Sequence, residues 1–292
     1  MDRFHIPVLL KEALGALRVK KGGLYIDATI GGGGHTRLIL DQGGRVLGID
    51  QDEEAILHLK KKFESEIKSG QLILVRANFK DIEKVAGSNG FEKVEGILFD
   101  LGVSSHQLDE ARRGFSIRRN EALDMRMSRD EALTAHEVVN KYSEEELYEV
   151  FAKYGEESRA RDIAKQIVFE RKIKPIDTTG ELADLVSKIV RNQGKIHPAT
   201  RVFQAIRIEV NSEIENLKEG MIGGFKLLKQ GGRLAIISFH SLEDRVVKLY
   251  FLKIMNEGLG SILTKKPIVA ANSEVEENRR SRSAKMRIIE KI

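Results

Sequence analysis

Leu24-Tyr25-Ile26-Asp27-Ala28-Thr29-Ile30-Gly31-Gly32-Gly33-Gly34-His35 is the stretch that decides the fold. Its first seven residues read as a buried strand, and His35 to Asp41 reads as a short helix. The glycines therefore stand where a strand turns into a helix. Glycines there let the backbone approach a ligand closely and adopt positive φ. The helix N-terminus beyond offers unpaired N–H groups and the positive end of a dipole. Doubly wound sheets bind ligands at this place, the carboxyl ends of their strands. Four consecutive glycines are costly in entropy, which argues for a ligand rather than an idle loop.

Outward from this turn the alternation continues. Arg45–Asp50, Leu72–Val75 and Val94–Asp100 read as further strands. Asp52–Ser69 has helical spacing, with Ala55, Ile56, Leu59, Phe63 and Ile67 on one face. Strands separated by helices predict a parallel sheet with right-handed crossovers. From about Gly114 to Asn211 the pattern becomes nearly all helical. Ser143-Glu144-Glu145-Glu146 is a capping-box start, Thr179 precedes a second helix and a third runs from Ala199. So long a helical run exceeds any ordinary connection in an α/β unit and predicts an inserted domain. The sheet resumes after the turn Lys229-Gln230-Gly231-Gly232 with a fifth strand, Arg233–Phe239. Lys266–Ala271 and Lys285–Ile292 then predict an antiparallel edge. The expected fold is α/β, a Rossmann-like sheet with an inserted, mostly helical second domain. The expected boundaries are residues 1–113 with 212–292 for the first domain and 114–211 for the insertion.

Composition excludes several classes of function. With no cysteine among 292 residues, disulfides, thiolate metal sites and a cysteine nucleophile are ruled out. No run of eighteen apolar residues offers a membrane span. Met1-Asp2-Arg3-Phe4-His5 lacks the basic start and apolar core of a secretory signal, so a cytoplasmic location is expected. Lys and Arg number 49 against 44 Asp and Glu, a net charge of +5. That excess is modest, and the placement of the cations matters more than their sum.

The ligand at the turn is narrowed by what surrounds it. Asp50 ends the second strand 19 residues after Gly31, a placement that suits a carboxylate accepting two ribose hydroxyls. Dinucleotides and S-adenosylmethionine both present that diol. Three features favour S-adenosylmethionine. The spacing breaks G-x-G-x-x-G, because position 36 is Thr where the third glycine would stand. Asp27 lies four residues before the first glycine, where a carboxylate suits the cationic, amino-acid-like end of that cofactor. The Lys229–Gly232 turn and the closing antiparallel pair match the plan of class I methyltransferases. A P-loop motif is absent, which disfavours a nucleoside triphosphatase. Phe79, after the third strand, reads either as a stacking partner for adenine or as a core residue.

Longer motifs carry a family resemblance. They are His5–Leu10, Gly31–His35, Asp100–Ser105 with Gln107-Leu108-Asp109, Arg113–Ser116, Leu123–Met127, Tyr154–Glu157, His197–Arg201 and Ile237–Arg245. Together they resemble the bacterial 16S ribosomal RNA (cytosine-N4) methyltransferase family, the MraW type, over nearly the whole chain. The resemblance implies a class I methyltransferase domain with a helical insertion. It also implies methyl transfer from S-adenosylmethionine to N4 of a cytidine in the decoding region of 16S RNA, with the small ribosomal subunit as partner. Cofactor contacts carry over onto Gly33, Gly34, His35, Asp50, Phe79, Asp100 and Gln107.

The chemistry asks for more than a cofactor. A cytosine amine is a poor nucleophile because its lone pair is delocalised, so it must be held in line and hydrogen-bonded through its N–H groups. Many amino methyltransferases do this with a Pro-Pro-aromatic motif after the fourth strand; here Asp100-Leu101-Gly102-Val103 stands instead. Asp100 reads either as the acceptor for the amine or as a cofactor ligand. His240 suits the released proton, with a satisfied polar residue at a strand end as the plainer reading. Neither His35 nor His240 has partners at metal-ligand spacing, so no metal is expected. Arg113, Arg118, Arg119, Arg126 and Arg201 are expected to meet RNA phosphates and Phe115 to stack on a flipped base, with the insertion as one wall of the cleft. Competing readings are a methyltransferase of proteins or small molecules, a nicotinamide-dependent dehydrogenase, and a non-catalytic RNA-binding protein.

Overall fold

The computed structural model describes residues 7–102, 113–190 and 197–292. The chain divides into two compact units, Met1–Ser104 with Ile214–Ile292, and Ser105–Glu213.

The first unit begins with α1 (Leu10–Leu17), β1 (Leu24–Asp27), α2 (Gly34–Asp41) and β2 (Arg45–Asp50). It continues with α3 (Glu53–Lys62), α4 (Glu64–Lys68), β3 (Leu72–Arg76), α5 (Ile82–Ser88) and β4 (Val94–Asp100). The single helix expected over 52–69 is broken at Phe63, whose φ of −115° and ψ of 32° leave the helical region. Phe63 is fully buried, with Arg37 stacked over its ring at 4.4 Å. Seating that ring in the core takes precedence over one residue of helical backbone.

The second unit holds α6 (Ala135–Lys141), α7 (Glu144–Lys153), α8 (Ala160–Glu170), α9 (Thr179–Ile189) and α10 (Thr200–Asn211). The capping box expected at Ser143 is present, with Ser143 and Glu146 exchanging side-chain and backbone hydrogen bonds. Two more occur at Thr134 and Thr178. Thr178, not Thr179, is the cap of α9; the Thr179 hydroxyl donates to the carbonyl of Arg119. Helix does not fill the whole segment. Residues 113–134 are irregular, tied by a bridge between Ala122 and Thr178 and by Asn211, whose side chain binds the backbone of Met125 and Met127.

The chain then returns to the first unit through α11 (Glu213–Leu227), β5 (Leu228–Ser238), α12 (Ser241–Asn256), β6 (Gly260–Ile262), β7 (Ile268–Val269), α13 (Asn272–Glu277) and β8 (Lys285–Lys291). The sheet order is β3-β2-β1-β4-β5-β8-β6, with β7 beside β8. The first five strands are parallel and β8 runs antiparallel to β5. This is the expected Rossmann-like sheet, parallel strands closed by antiparallel ones. The expected antiparallel edge is present, built from β6, β7 and β8, with β8 lying between β5 and β6. Arg287 gives β8 a polar appearance, but it is only 8% exposed because its guanidinium forks onto Asp244 of α12 at 2.6 and 3.1 Å.

Successive residues of each strand feed opposite faces. Ile26, Leu47, Ile97, Phe99, Leu234 and Ile236 join one buried cluster with Leu217, Met221, Val247 and Phe251. Tyr25, Val46, Leu98, Ala235 and Ile237 join the other with Ala13, Leu17, Ile39, Leu59 and Phe63. Helices thus cover both faces, leaving the carboxyl ends of β2, β1 and β4 side by side with an acid on each. Among the described residues no helix is long and apolar enough to cross a membrane.

Candidate active site at the glycine turn

The four glycines do different things. Gly31 and Gly33 have φ of +48° and +73°, the left-handed region that glycine adopts without a side-chain penalty. A Cβ on Gly33 would lie 2.6 Å from the Phe63 ring, and one on Gly34 would lie 2.7 Å from Pro7. Both side-chain directions are filled by protein, so these residues have backbone alone to offer a ligand. At Gly31 the nearest atom to such a Cβ is the Thr29 carbonyl at 3.8 Å, so the open side of the turn is at Gly31. Lys62 Nζ donates to the Gly32 carbonyl at 2.8 Å and pins the turn from α3.

Asp27, Asp50 and Asp100 end three adjacent strands, β1, β2 and β4. Asp50 accepts from the Gly31 amide at 3.0 Å and from the Asp52 amide at 2.9 Å, which ties the second strand to the turn. Burial pushes the Asp50 carboxyl up to about 6, against those two amides. Asp27 is 1% exposed; Oδ2 accepts the Thr36 hydroxyl at 2.7 Å, while Oδ1 is buried with no hydrogen-bond partner among the described residues. Burial also raises the Asp27 carboxyl above its ordinary range, with His35 opposing and Asp100 adding to the rise. The Asp100 amide donates to Thr29 Oγ1 at 2.6 Å, and its carboxylate lies 3.8 Å from His35 Nδ1. His35 Nε2 is 3.1 Å from the Val8 carbonyl, which can only accept, so Nε2 carries the proton and Nδ1 faces Asp100.

The adenine-side candidates sit at the ends of β2 and β3. Asn78 accepts from the Lys80 amide and donates to Gln51 Oε1, each at 3.0 Å. Phe79 is half-buried, and its ring meets Phe99 edge-on at 5.5 Å and packs against Gly220. The core thus claims part of this ring. His240 caps α12: Nδ1 accepts from the Glu243 amide at 3.3 Å, and Nε2 lies 3.1 Å from the Glu243 carboxylate. Nδ1 thus serves the helix cap, while Nε2 is buried beside the Glu243 carboxylate without a hydrogen bond among the described residues. Gln107 lies outside the described residues.

In the second unit the expected RNA-contact residues separate into two groups. Arg118, Arg119 and Arg201 are exposed. Arg113 and Phe115 are buried, at 4% and 8%, which corrects their expected place on the surface. The Arg113 guanidinium donates to the carbonyls of Arg126 and Met127 at 3.2 and 3.1 Å, so it folds its own loop. Arg126 is held by a two-pronged contact with Asp124 at 2.8 and 2.9 Å and also donates to the carbonyls of Arg129 and Glu131. Sequence reading overlooked Thr29, Thr36 and Gln51. The one available signal was position: each stands within two residues of a strand-end acid or of the turn.

Residues 2–292 match the profile of the MraW methylase family. The chain is 47% identical over 289 residues to "Ribosomal RNA small subunit methyltransferase H" of Coprothermobacter proteolyticus, covering 98% of this chain and 96% of that one. It is 45% identical to the protein of that name from Carboxydothermus hydrogenoformans, over 310 aligned positions that cover 100% and 99% of the two chains. Among solved structures, an rRNA methylase from Streptococcus thermophilus superposes with a TM-score of 0.45 at 12% identity, over 97% of this chain and 92% of the other.

Proposed function

The chain belongs to the MraW methylase family, and from that premise we propose that it methylates small-subunit ribosomal RNA with S-adenosylmethionine, at N4 of a cytidine in the decoding region of 16S RNA. The RNA class is supported by relatives at 45–47% identity whose names state it. The cytidine N4 and its position rest on the motif resemblance.

One observation carries the choice of cofactor. Asp27, Asp50 and Asp100 end three adjacent strands beside the glycine turn, and burial, with a smaller contribution from neighbouring acids, raises the pKa of the first two. Three carboxylates repel the pyrophosphate of a dinucleotide and attract a cation. The residues fit S-adenosylmethionine: Asp50 for the ribose hydroxyls, the unpartnered Asp27 Oδ1 for the ammonium, Gln51 and Asn78 beside the adenine. When bound, this cofactor supplies an electrophilic methyl on a positively charged sulfur. The protein's own task is to align the target amine and hold its N–H groups, for which the Asp100 carboxylate and the Leu101 carbonyl stand at the end of β4. Leu101 is fixed there by its amide, which donates to the Ile237 carbonyl at 2.9 Å.

The direct test incubates the protein with labelled S-adenosylmethionine and either free 16S RNA or assembled small subunits. Nucleosides are then resolved by mass spectrometry. N4-methylcytidine is the expected product; a methyl on carbon or on another base, or none in either substrate, overturns the reading.

The raised Asp50 pKa sets a pH dependence. The ionised form accepts ribose hydroxyls, and it is lost as pH falls through about 6. Affinity for S-adenosylhomocysteine is therefore expected to drop about tenfold from pH 7 to pH 5. Asp27, also raised, acts in the same direction. Calorimetric titration across that range checks this, and a flat profile would count against Asp50. For the ligand-free fold the sign is opposite. A carboxyl raised above its unfolded value contributes stability at low pH that is lost as pH rises through 6.

Exposed Arg118 and Arg119 are the best remaining candidates for phosphate contacts. Reversing both charges is expected to weaken RNA binding at low salt and to flatten the salt dependence by about two units of slope. Filter binding at several salt concentrations reads this directly; an unchanged slope removes the pair from the interface.

A further inference from the structure

We infer that Thr36 is a positioning residue for the cofactor: its hydroxyl holds the Asp27 carboxylate so that Oδ1 is the oxygen presented to the cofactor's ammonium. The inference rests on the reading above that Asp27 receives that ammonium.

Thr36 is fully buried in the first turn of α2. Its hydroxyl donates to Asp27 Oδ2 at 2.7 Å. Asp27, 1% exposed, has no hydrogen-bond partner for Oδ1 among the described residues. A buried carboxylate oxygen left unmatched costs folding free energy unless something supplies a donor. One oxygen is thus satisfied by the fold; the Thr29 backbone also favours the carboxylate, and Oδ1 is left without a hydrogen bond among the described residues. With the hydroxyl gone, the carboxylate is free to turn about its Cβ–Cγ bond and has lost a donor that favours its ionised form. The side chain also explains the departure from G-x-G-x-x-G. A glycine at position 36, as in a dinucleotide turn, would have nothing with which to hold an acid. Thr36 therefore marks the turn as one built around a buried carboxylate.

The test compares two ligands that share the nucleoside but differ in the amino-acid arm, S-adenosylhomocysteine and 5′-methylthioadenosine, titrated calorimetrically. Thr36→Val keeps the shape and deletes the hydroxyl. It is expected to weaken S-adenosylhomocysteine about tenfold while leaving 5′-methylthioadenosine within twofold, and Thr36→Ser is expected to restore the wild-type pattern. If valine does not fold, Thr36→Ala is read in the same way. Equal weakening of both ligands means a merely structural role and overturns the inference. So does unchanged binding of S-adenosylhomocysteine, or a serine variant as weak as valine. Asp27→Asn separates the inference from its premise. If that variant binds S-adenosylhomocysteine normally, Asp27 does not meet the ammonium; if it binds weakly while Thr36→Val is normal, the premise stands and Thr36 is not the positioning group.

Discussion

Asp100→Ala is expected to lower methylation by about 10²–10⁴-fold, the range typical for loss of a group that acts on the reacting proton or charge. The residue ends β4, its amide is anchored on Thr29 Oγ1, and its carboxylate faces His35 Nδ1 at 3.8 Å. Removing the carboxylate leaves the backbone anchor in place, so the fold should survive. Two titrations divide the possible roles. Retained affinity for S-adenosylhomocysteine with turnover lost places Asp100 on the target amine. Affinity lost in step with turnover makes it a cofactor ligand. Near-normal methylation would remove Asp100 from both roles, and with it one of the three acids on which the choice of cofactor depends.

Gly33→Ala should have the largest effect on stability. The new methyl would stand 2.6 Å from the Phe63 ring and 2.9 Å from Leu59 Cδ2, and both partners are fully buried. The backbone there has φ of +73°, which costs an L-residue about 1–2 kcal/mol. Overpacking a closed core adds about 1–3 kcal/mol. Together these amount to a large share of an ordinary domain's stability, roughly 5–15 kcal/mol. Urea unfolding should show the first unit losing about 2–5 kcal/mol, the sum of those two costs. Cofactor affinity should fall as well, because the displaced turn carries the Gly31 amide that binds Asp50. A variant within 0.5 kcal/mol of wild type would mean that Phe63 yields easily and that Gly33 is not held by packing. Gly31→Ala makes the contrast: its methyl meets only the Thr29 carbonyl, at an unstrained 3.8 Å, so its cost is the backbone strain alone and its effect falls mainly on binding.

The candidate site was legible in part for identifiable reasons. Asp50 and Asp100 were readable because each closes an apolar run; Asp27 was read only from its spacing before the first glycine, within a strand expected to reach Ile30 that in fact stops at Asp27. The division of labour among the glycines was not, since it depends on Phe63 and Pro7, which approach from elsewhere in the chain. Arg113 and Phe115 were misplaced as surface groups, and Arg126, though partly exposed, is held by its own loop. Their loop closes on itself through carbonyls and Asp124, contacts that charge patterning does not reveal. Thr36 looked only like a missing glycine until the Asp27 carboxylate was found against it.

Local pattern alone determined the parallel strands and their order of appearance, the helical segment, the glycine turn at the carboxyl end of β1 and the acids beside it. These follow from side-chain period, from glycine's freedom at positive φ and from the cost of burying charge, all of which act within a few residues. Only the tertiary structure decided that β8 lies between β5 and β6, that Arg287 is buried, that the helix stops at Phe63, and which Asp27 oxygen the Thr36 hydroxyl takes. Each depends on a partner distant in sequence, such as Asp244 for Arg287 or Gly33 for Phe63. A buried charge or a filled glycine is defined by the atoms that meet it, and chain order does not say which atoms those are.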